Sequence, residues 1–452
     1  MTKTIIKIPR SLFAAALEDL ARPHRFAYER VGFFSTKCST TKNLTLVHCI
    51  EYHPVADVHY IRDRSVGARI NSAAITEAMA RCTNSGVGQI HVHTHGESSG
   101  LPNPSTVDRT ELPGLIRSLR NVSETNSCGW AILSADNAWL SVVLPRNNVP
   151  IERIAVSIIG SRMVVSKRIP CRPKRFWLTQ QSFFLLAERF KRQSFLGPES
   201  SRIFSTCTIG LVGLGGSGSH ANQQLAHLGF ECVVMSDGDR VTATNLNRTV
   251  NATTADVRRK RSKTDLAERY YRRVLKGARI VNRRTRWENA MEELMACNII
   301  VGSLDTFAAR SDLEAFCRRH LIPYVDVGMD VIQSGAFHEI VGQVILSMPG
   351  KPCMRCMGFL TDKLLSREAQ SYGVAGGRPQ VIWSNGVLCS AAVGIVVDLL
   401  TGWSGRNQES LYLNFRGSDL SLTQDPRLEH VIKNNCPHYP LTDAGDPAWS
   451  RL

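Results

Sequence analysis

Ile209-Gly-Leu-Val-Gly213-Leu-Gly215-Gly-Ser-Gly218 is the stretch on which the fold turns. Its opening residues, after Cys207-Thr208, form a short apolar run, as in a strand buried on both faces. The glycines then allow a tight turn and close backbone approach, and the helix that follows would aim its first amides at the turn. A strand, a glycine turn and a helix open a βαβ unit, and a parallel sheet follows if the alternation continues. It continues: one strand ends at Asp237, another covers Asn298–Val301, and the alternation reaches about residue 330. Asp237 lies nineteen residues past Gly218, where an acid would hold ribose hydroxyls. This spacing predicts a nucleotide site, and to this point a nicotinamide-dependent dehydrogenase fits as well.

The residues that follow depart from a dehydrogenase. Asp237-Gly-Asp239 is succeeded by Thr244-Asn245-Leu-Asn-Arg248, by Lys263, and by Ser303-Leu-Asp305-Thr with Arg310 after it. Upstream stands Arg189-Phe-Lys-Arg192-Gln193. In this order, over residues 185–400, the motifs resemble those of the ThiF/HesA/MoeB family, the ubiquitin-activating-enzyme-like adenylating enzymes. The resemblance implies a Rossmann-like doubly wound domain that uses ATP and Mg²⁺ to adenylate the C-terminal glycine of a ubiquitin-like protein. It implies that Gly213, Gly215, Gly216 and Gly218 form the phosphate loop, and that Asp237 binds the ribose. Asn245, Arg248 and Lys263 would neutralise phosphates, and Asp305 would hold magnesium near the scission point. Arg192 would reach the γ-phosphate side from the neighbouring subunit of a homodimer. The run from Asp256 to Lys263 is two residues longer than usual, so Lys260 rivals Lys263. In such chemistry a carboxylate attacks the α-phosphorus, pyrophosphate leaves, and Arg, Lys and Mg²⁺ stabilise the spreading charge.

The first third of the chain carries a second pattern. In Gln89-Ile-His-Val-His-Thr-His95, a strand would put His91, His93 and His95 on one face. After Asn103-Pro104, Ser105 reads as a helix N-cap, with Asp108 in the first turn pointing back at it. A capping box is the plain account. Two alternating histidines just before it add another, because two imidazoles and a carboxylate leave a fourth zinc position open. With Tyr28-Glu29-Arg-Val-Gly32 upstream, residues 10–150 resemble the JAMM (Mov34/MPN-plus) metalloprotease family. The resemblance implies that His93, His95 and Asp108 bind catalytic Zn²⁺, that Glu29 is the base for the hydrolytic water, and that Ser105 helps hold the oxyanion. Such enzymes cut after the C-terminal glycines of ubiquitin-like proteins. Gly96 stands where the family has proline, and the loop from His95 to Ser105 is two residues long beyond the usual, so altered substrate access is expected.

Cys353-Met-Arg-Cys356 is by itself weak evidence for metal. The adenylating family adds a second cysteine pair near the C-terminus. Here Cys436-Pro-His438 offers one cysteine and a histidine, so a Cys₃His structural Zn²⁺ site is expected, the alternative being free thiols. Cys389 reads as buried core rather than a thioester nucleophile. Thirteen scattered cysteines without an export signal predict reduced thiols and a cytoplasmic location.

Composition bounds these readings. The chain has 452 residues, 43% hydrophobic and 21% charged, which excludes a disordered chain, a collagen-like fibre and a coiled coil. No run of ~18 apolar residues occurs, and the longest candidate, Ala391–Leu400, carries Asp398, so no membrane span is expected. Residues 1–160 are assigned to the metalloprotease-like domain, 161–180 to a basic linker, and 181–445 to the adenylation domain. In the first domain, helices are expected at Ser11–Leu20 and Asn71–Arg81, with strands at Val31–Ser35, Leu44–Ile50 and Ile90–His95; a further helix is expected at Gln181–Phe190. The net charge is +16, and residues 258–286 hold thirteen Lys or Arg against Asp265 and Glu268. That segment is a solvated helix face or a surface for phosphates or an acidic partner. No interleaved aromatics or zinc-finger spacing point to nucleic acid. The whole reads as a fusion acting on the tail of a ubiquitin-like modifier, with a conjugating enzyme as a further partner, in a bacterial ubiquitin-like conjugation or sulfur-carrier system. The alternatives are a sulfur-carrier adenylyltransferase of cofactor or cysteine biosynthesis, and a scaffold whose inert first domain only docks the modifier.

Overall fold

The computed structural model describes residues 3–23, 27–63, 65–96, 99–123, 125–145, 149–152, 154–165, 188–370, 379–407, 409–431 and 436–445. Most of the expected linker, and the first seven residues of the helix expected at Gln181–Phe190, lie outside these. The chain forms two compact units that divide between Ile159 and Gly160. Residues 319–321 and 441–445 group with the first unit, not with the second as expected. Within that unit Lys7 donates to His320 O at 2.8 Å and Lys37 to Thr442 O at 2.7 Å.

The first unit contains β1 (Lys3–Pro9), α1 (Arg10–Leu20), β2 (Val31–Thr40), β3 (Leu44–Pro54), α2 (Ser72–Ser85), β4 (Gly88–Thr94), α3 (Thr106–Val122), β5 (Cys128–Leu133), β6 (Ala138–Val143), β7 (Ile151–Glu152) and β8 (Ala155–Ile159). Its strands lie in the order β7-β6-β5-β4-β2-β3-β1-β8. β4 pairs antiparallel with β2 and parallel with β5, so it is central and its first six residues are buried. β2 runs five residues past the expected end at Ser35, because Thr36–Thr40 keep their pairing with β3 beyond an irregularity at Ser35/Thr36. Asn71 caps α2 by accepting Ala74 N–H at 3.1 Å, and Gly86, at φ 59°, ends it. Ala74, Ala78 and Cys82 of α2 and Ile116 and Leu119 of α3 bury against Phe33, Ile132 and Trp139 of the sheet. Each large side chain buried there contributes about 1.5–3 kcal/mol. That packing fixes the start of α3 near the end of β4.

The second unit contains α4 (Ser200–Thr206), β9 (Thr208–Val212), α5 (Gly216–Leu228), β10 (Cys232–Ser236), α6 (Thr254–Arg258), α7 (Lys263–Val274), β11 (Arg279–Arg283), α8 (Met291–Met295), β12 (Ile299–Gly302), α9 (Phe307–Arg319), β13 (Tyr324–Ser334), β14 (Phe337–Ser347), α10 (Asp362–Gln370), α11 (Ile382–Thr401), β15 (Leu411–Arg416), β16 (Ser421–Gln424) and α12 (Leu428–Val431). Its strand order is β11-β10-β9-β12-β13-β14-β15-β16. The first five strands are parallel and the rest antiparallel. β9, β10 and β12 are buried throughout, as their unbroken apolar runs require. This is a Rossmann-like mixed α/β architecture, and the chain reverses its strand order beside β9, where such folds open a crevice at the carboxyl ends of the strands.

α11 corrects one expectation. It is a 20-residue helix with mean hydropathy 1.6 in its most apolar window, long and apolar enough by composition to cross a membrane. Most of that window is buried inside the protein, and Asp398 accepts Ser404 N at 3.0 Å and Ser404 Oγ at 2.9 Å. Its apolar residues are those of a core helix covered by the sheet and by α5.

Candidate active sites

The site of the first unit gathers at the end of β4. His93 and His91 lie on one face of the strand, and His95 stands in the turn just beyond it. His91 is the core member: it is buried edge-on to Phe33 at 5.4 Å, and burial with the nearby His93 pushes it down to about 3. His93 Nε2 and His95 Nε2 approach to 3.1 Å. Asp108 Oδ1 lies 3.1 Å from His93 Nε2, and Asp108 Oδ2 lies 3.1 Å from His95 Nε2.

Ser105 and Asp108 also form the reciprocal capping box of α3. Ser105 N and Oγ donate to Asp108 Oδ2 at 2.7 and 2.8 Å, while Asp108 N donates to Ser105 Oγ at 3.1 Å. The two readings of Ser-x-x-Asp therefore coexist, since the cap fixes the rotamer that carries the carboxylate to the histidines. Burial opposes ionisation of Asp108, but the hydrogen bonds from His93 and Ser105 outweigh it and hold the carboxylate well below its ordinary range. Ser105 has one hydroxyl proton, and it goes to Asp108, so in this geometry Ser105 orients the carboxylate.

Glu29, His93 and His95 present ligand atoms that all lie within 4.8 Å of one another. Burial raises Glu29 above its ordinary value, against the opposing fields of His93 and His95. Sequence reasoning missed what holds it. Tyr28 N and Glu29 N both donate to Gly67 O at 2.9 Å, and a Cβ on Gly67 would meet Glu29 Oε2 at 2.3 Å. Only the glycine in the Gly67-Ala-Arg segment hinted at so close an approach.

Zinc fits these residues. Tetrahedral nitrogen and oxygen ligands at ~2.0–2.1 Å stand roughly 3.3–3.4 Å from one another, close to the separations here. One expected feature is missing: His93 Nδ1 is buried without a hydrogen-bond partner among the described residues, where metal-bound histidines usually donate to an acceptor.

The second unit builds its site from backbone at the ends of β9, β10 and β12. Gly213 N donates to Ser236 O at 3.0 Å, and Ser303 N to Val212 O at 2.8 Å. Gly213 sits at φ 82°, and a Cβ there would meet Ser303 O at 2.3 Å. A Cβ on Gly218 would come within 1.9 Å of Gly213 O, so the loop and helix touch backbone to backbone. A Cβ on Gly215 would have Lys263 Nζ as its nearest atom at 4.0 Å, so this side of the loop is open and faces a cation.

Asp237 braces the loop. Its carboxylate accepts Leu214 N at 2.7 Å and Asp239 N at 2.8 Å, and burial raises it above its ordinary value. Lys263 opens α7, and its Nζ donates to Asp239 Oδ2 at 2.6 Å. Burial works against its charge, but Asp237, Asp239 and Asp305 outweigh burial and raise it. Its rival Lys260 is exposed, in a left-handed turn at φ 46°, and its carbonyl accepts Arg240 Nη1 at 2.6 Å. The structure thus brings Lys263, not Lys260, to the glycine loop. Asp305 lies exposed in the turn after β12.

Asn245 is buried and caps its own turn by accepting Thr242 N at 3.0 Å. Arg248 reaches Thr244 O at 2.5 Å and Asn247 Oδ1 at 3.1 Å. Arg310 is a buried structural cation paired with Asp326. Asn385, missed in the sequence, accepts Ser217 Oγ at 2.6 Å and donates to Val381 O at 2.9 Å, tying the start of α11 to the glycine loop. No local spacing signals it.

Arg192 lies elsewhere. It is exposed in the turn Lys191–Leu196. Flanking residues anchor that segment: Arg189 donates to Ala226 O at 3.0 Å and Val274 O at 2.9 Å, and Gln193 to Leu228 O at 3.2 Å. Ala226 and Leu228 end α5, whose thirteen residues span roughly 20 Å from the glycine loop.

Four further ligands converge in the second unit. Cys353 Sγ and Cys356 Sγ are 3.7 Å apart, as are Cys356 Sγ and Cys436 Sγ, and His438 Nδ1 lies 3.4 Å from both Cys353 and Cys356. Tetrahedral zinc with sulfur at ~2.3 Å and nitrogen at ~2.0–2.1 Å puts these edges at roughly 3.8 and 3.6 Å, so the Cys₃His set fits the ion. Cys389 is buried on α11, and burial pushes it up to about 12.

Comparison with known proteins bears on the second unit. The chain is 29% identical over 175 residues to the SAMP-activating enzyme E1 of Haloferax volcanii, covering 38% of this chain and 61% of that protein. It is 29% identical over 135 residues to the tRNA threonylcarbamoyladenosine dehydratase of Escherichia coli, covering 29% and 50%. It is 30% identical over 202 residues to the adenylyltransferase and sulfurtransferase MOCS3-2 of Zea mays, covering 43% and 40%. The chain thus spans about half the length of these curated relatives. Among solved structures, E. coli MccB with AMPCPP and MccA is 17% identical, covers 54% of this chain and 77% of its own, and has a TM-score of 0.45. The family model described as the ThiF family matches residues 190–438, more than half of the sequence, and the chain belongs to that family.

Proposed function

We propose that the second unit uses ATP and Mg²⁺ to adenylate the C-terminal glycine of a ubiquitin-like protein, and that the first unit is a JAMM-type zinc peptidase that trims or removes the same modifier. The observation that carries the adenylation reading is Lys263, held by three acids beside the open face of Gly215. Amides at the start of α5 receive phosphate oxygens, Lys263 and Arg248 offset their charge, and Asp305 holds the magnesium. The modifier's carboxylate attacks the α-phosphorus and pyrophosphate leaves.

Arg192 acts in the partner's site of a homodimer. Its anchoring at the far end of α5 supports this, since it cannot reach its own glycine loop from there. Zinc at His93, His95 and Asp108 would polarise the scissile carbonyl and acidify water. Glu29 takes the proton, and its raised pKa suits that task. The Cys353, Cys356, Cys436 and His438 zinc is structural. The protein works in the cytoplasm, a reading that rests on its many scattered cysteines.

The sulfur-carrier reading has one observation in its favour. Among the described residues every cysteine is buried except Cys356, which belongs to the metal cluster, so none is poised to take a thioester. Under that reading the adenylate passes directly to a sulfide donor instead of toward a conjugating enzyme.

ATP–pyrophosphate exchange tests the proposal, with a ubiquitin-like protein encoded near this chain and ending in Gly-Gly. Exchange should require the free glycine carboxylate and vanish in Asp305→Ala. Mixed dimers of Arg192→Ala with Asp305→Ala should recover about half of the wild-type rate per dimer, because one site collects both lesions. Inactive mixed dimers would show that the arginine acts in cis. Zinc analysis with precursor cleavage separates a peptidase from a first unit that only docks the modifier.

A further inference from the structure

Apart from Lys263, the thirteen cations of residues 258–286 take no part in either site. Most gather where α7 packs against β11. β11 is the last strand of its sheet and pairs only with β10 among the described residues, so its outer edge is open. Arg279, Val281 and Arg283 share one face of it and are all exposed, while Ile280 and Asn282 on the other face are half-buried. Arg279 is steadied by Nη2, which donates to Ser205 O at 3.3 Å and Cys232 Sγ at 2.9 Å, and its other donors are left for a partner. Arg269, Arg272, Arg273 and Lys276 are exposed alongside.

The acids in this region pair with four of its arginines from beneath, and the remaining cations leave the segment with a positive surplus. Side-chain exposures are 45% and 1% for Arg269 and Asp256, 46% and 26% for Arg272 and Glu268, 45% and 23% for Arg283 and Glu293, and 68% and 24% for Arg284 and Asp265. In each pair the guanidinium is the outer member, held from below with donors still facing solvent. An edge that is charged only to repel other edges needs one or two mobile lysines. Here arginine dominates, whose rigid fork suits paired oxygens of a carboxylate.

We propose that the β11 edge docks an extended acidic segment of a partner protein, which adds to the sheet as a further strand. Arg279, Val281 and Arg283 at every second position call for acid, apolar and acid residues at the same spacing opposite. Nucleic acid is the weaker match, because among the described residues of this surface Tyr271 is buried and Tyr270 is tied by its hydroxyl to His227 at 2.9 Å, so successive bases would find no row of aromatic rings. This surface is independent of the adenylation and peptidase readings.

The test uses the full-length protein and a labelled synthetic peptide with Glu and Val alternating at every second position and Thr between them. Controls are a scrambled peptide of equal composition and an RNA duplex. The alternating peptide should bind on the order of tenfold more tightly than the scrambled one, and Arg279→Glu with Arg283→Glu should weaken it about tenfold. Circular dichroism and melting should show both proteins equally folded. If that variant does not fold, Arg273→Glu with Lys276→Glu on the helix side reads the same charge. Equal binding of both peptides, or none, overturns the docked strand. Tighter binding of RNA, lost in the same variant, reassigns the surface to nucleic acid.

Discussion

The two sites are built in opposite ways. In the first unit, side chains from one strand end and one helix start converge on a point, and the capping box of α3 aims Asp108 at two histidines. In the second, backbone makes the cradle and acids brace it from below: Asp237 under the loop, and Asp239 against Lys263. The first site is preset by local turn and cap chemistry. The second relies on parallel strands registering, so that loops more than eighty residues apart in sequence meet.

Because of this difference, the largest effects should come from single side chains in the first site. His95→Ala should lose the catalytic zinc. Glu29→Ala should keep it yet lose cleavage by on the order of 10³-fold, since a base is not a ligand. Elemental analysis beside a cleavage assay reads both, and normal cleavage by Glu29→Ala would remove its role.

In the second site Lys263→Ala should lower pyrophosphate exchange by on the order of 10²–10³-fold, with Lys260→Ala near wild type. The reverse result would move the phosphate contact to the left-handed turn.

The brace should matter for stability. Asp256 is buried and accepts from both Arg261 and Arg269, which fixes the turn leading into Lys263. Asp256→Asn should therefore cost about 3 kcal/mol in denaturant unfolding. The pH dependence follows. The hydrogen bond from Arg269 is the main reason that Asp256 lies well below its ordinary value of 3.8 in the folded protein. Its contribution is complete above that unfolded value and is lost as pH falls toward the folded one. Melting of the wild type should drop more steeply below about pH 4 than melting of Asp256→Asn.

The smallest effects separate the glycines. Gly218→Ala should destabilise the fold by about 1–3 kcal/mol, because its Cβ would run into Gly213 O. Gly215→Ala should melt like wild type and lose ATP affinity, measured by calorimetry, because its Cβ enters only the space beside Lys263. Equal melting losses in both would mean that Gly215 is packed as tightly as Gly218.

Much of this was legible in the sequence because it depends on neighbours within a few residues. The apolar run before Gly213 determined a buried parallel strand, the glycines a phosphate-type turn, Ser105-x-x-Asp108 a cap, and the alternation of His93 and His95 a shared direction. Strand pleat, turn sterics and capping operate over one or two turns of chain, so short spacings encode them. Tertiary structure decided what those rules leave open. It separated His91 as core from His93 and His95, because only packing against Phe33 buries that ring. It chose Lys263 over Lys260, since the acids that hold the lysine come from the ends of other strands. It brought Cys436 and His438 to Cys353 and Cys356 across some eighty residues. It set Gly67 against Glu29 and Asn385 against Ser217, contacts whose partners lie far apart in sequence. It also anchored the Arg192 segment at the far end of α5. Such meetings depend on which faces bury together, and burial is a property of the whole unit rather than of any short stretch.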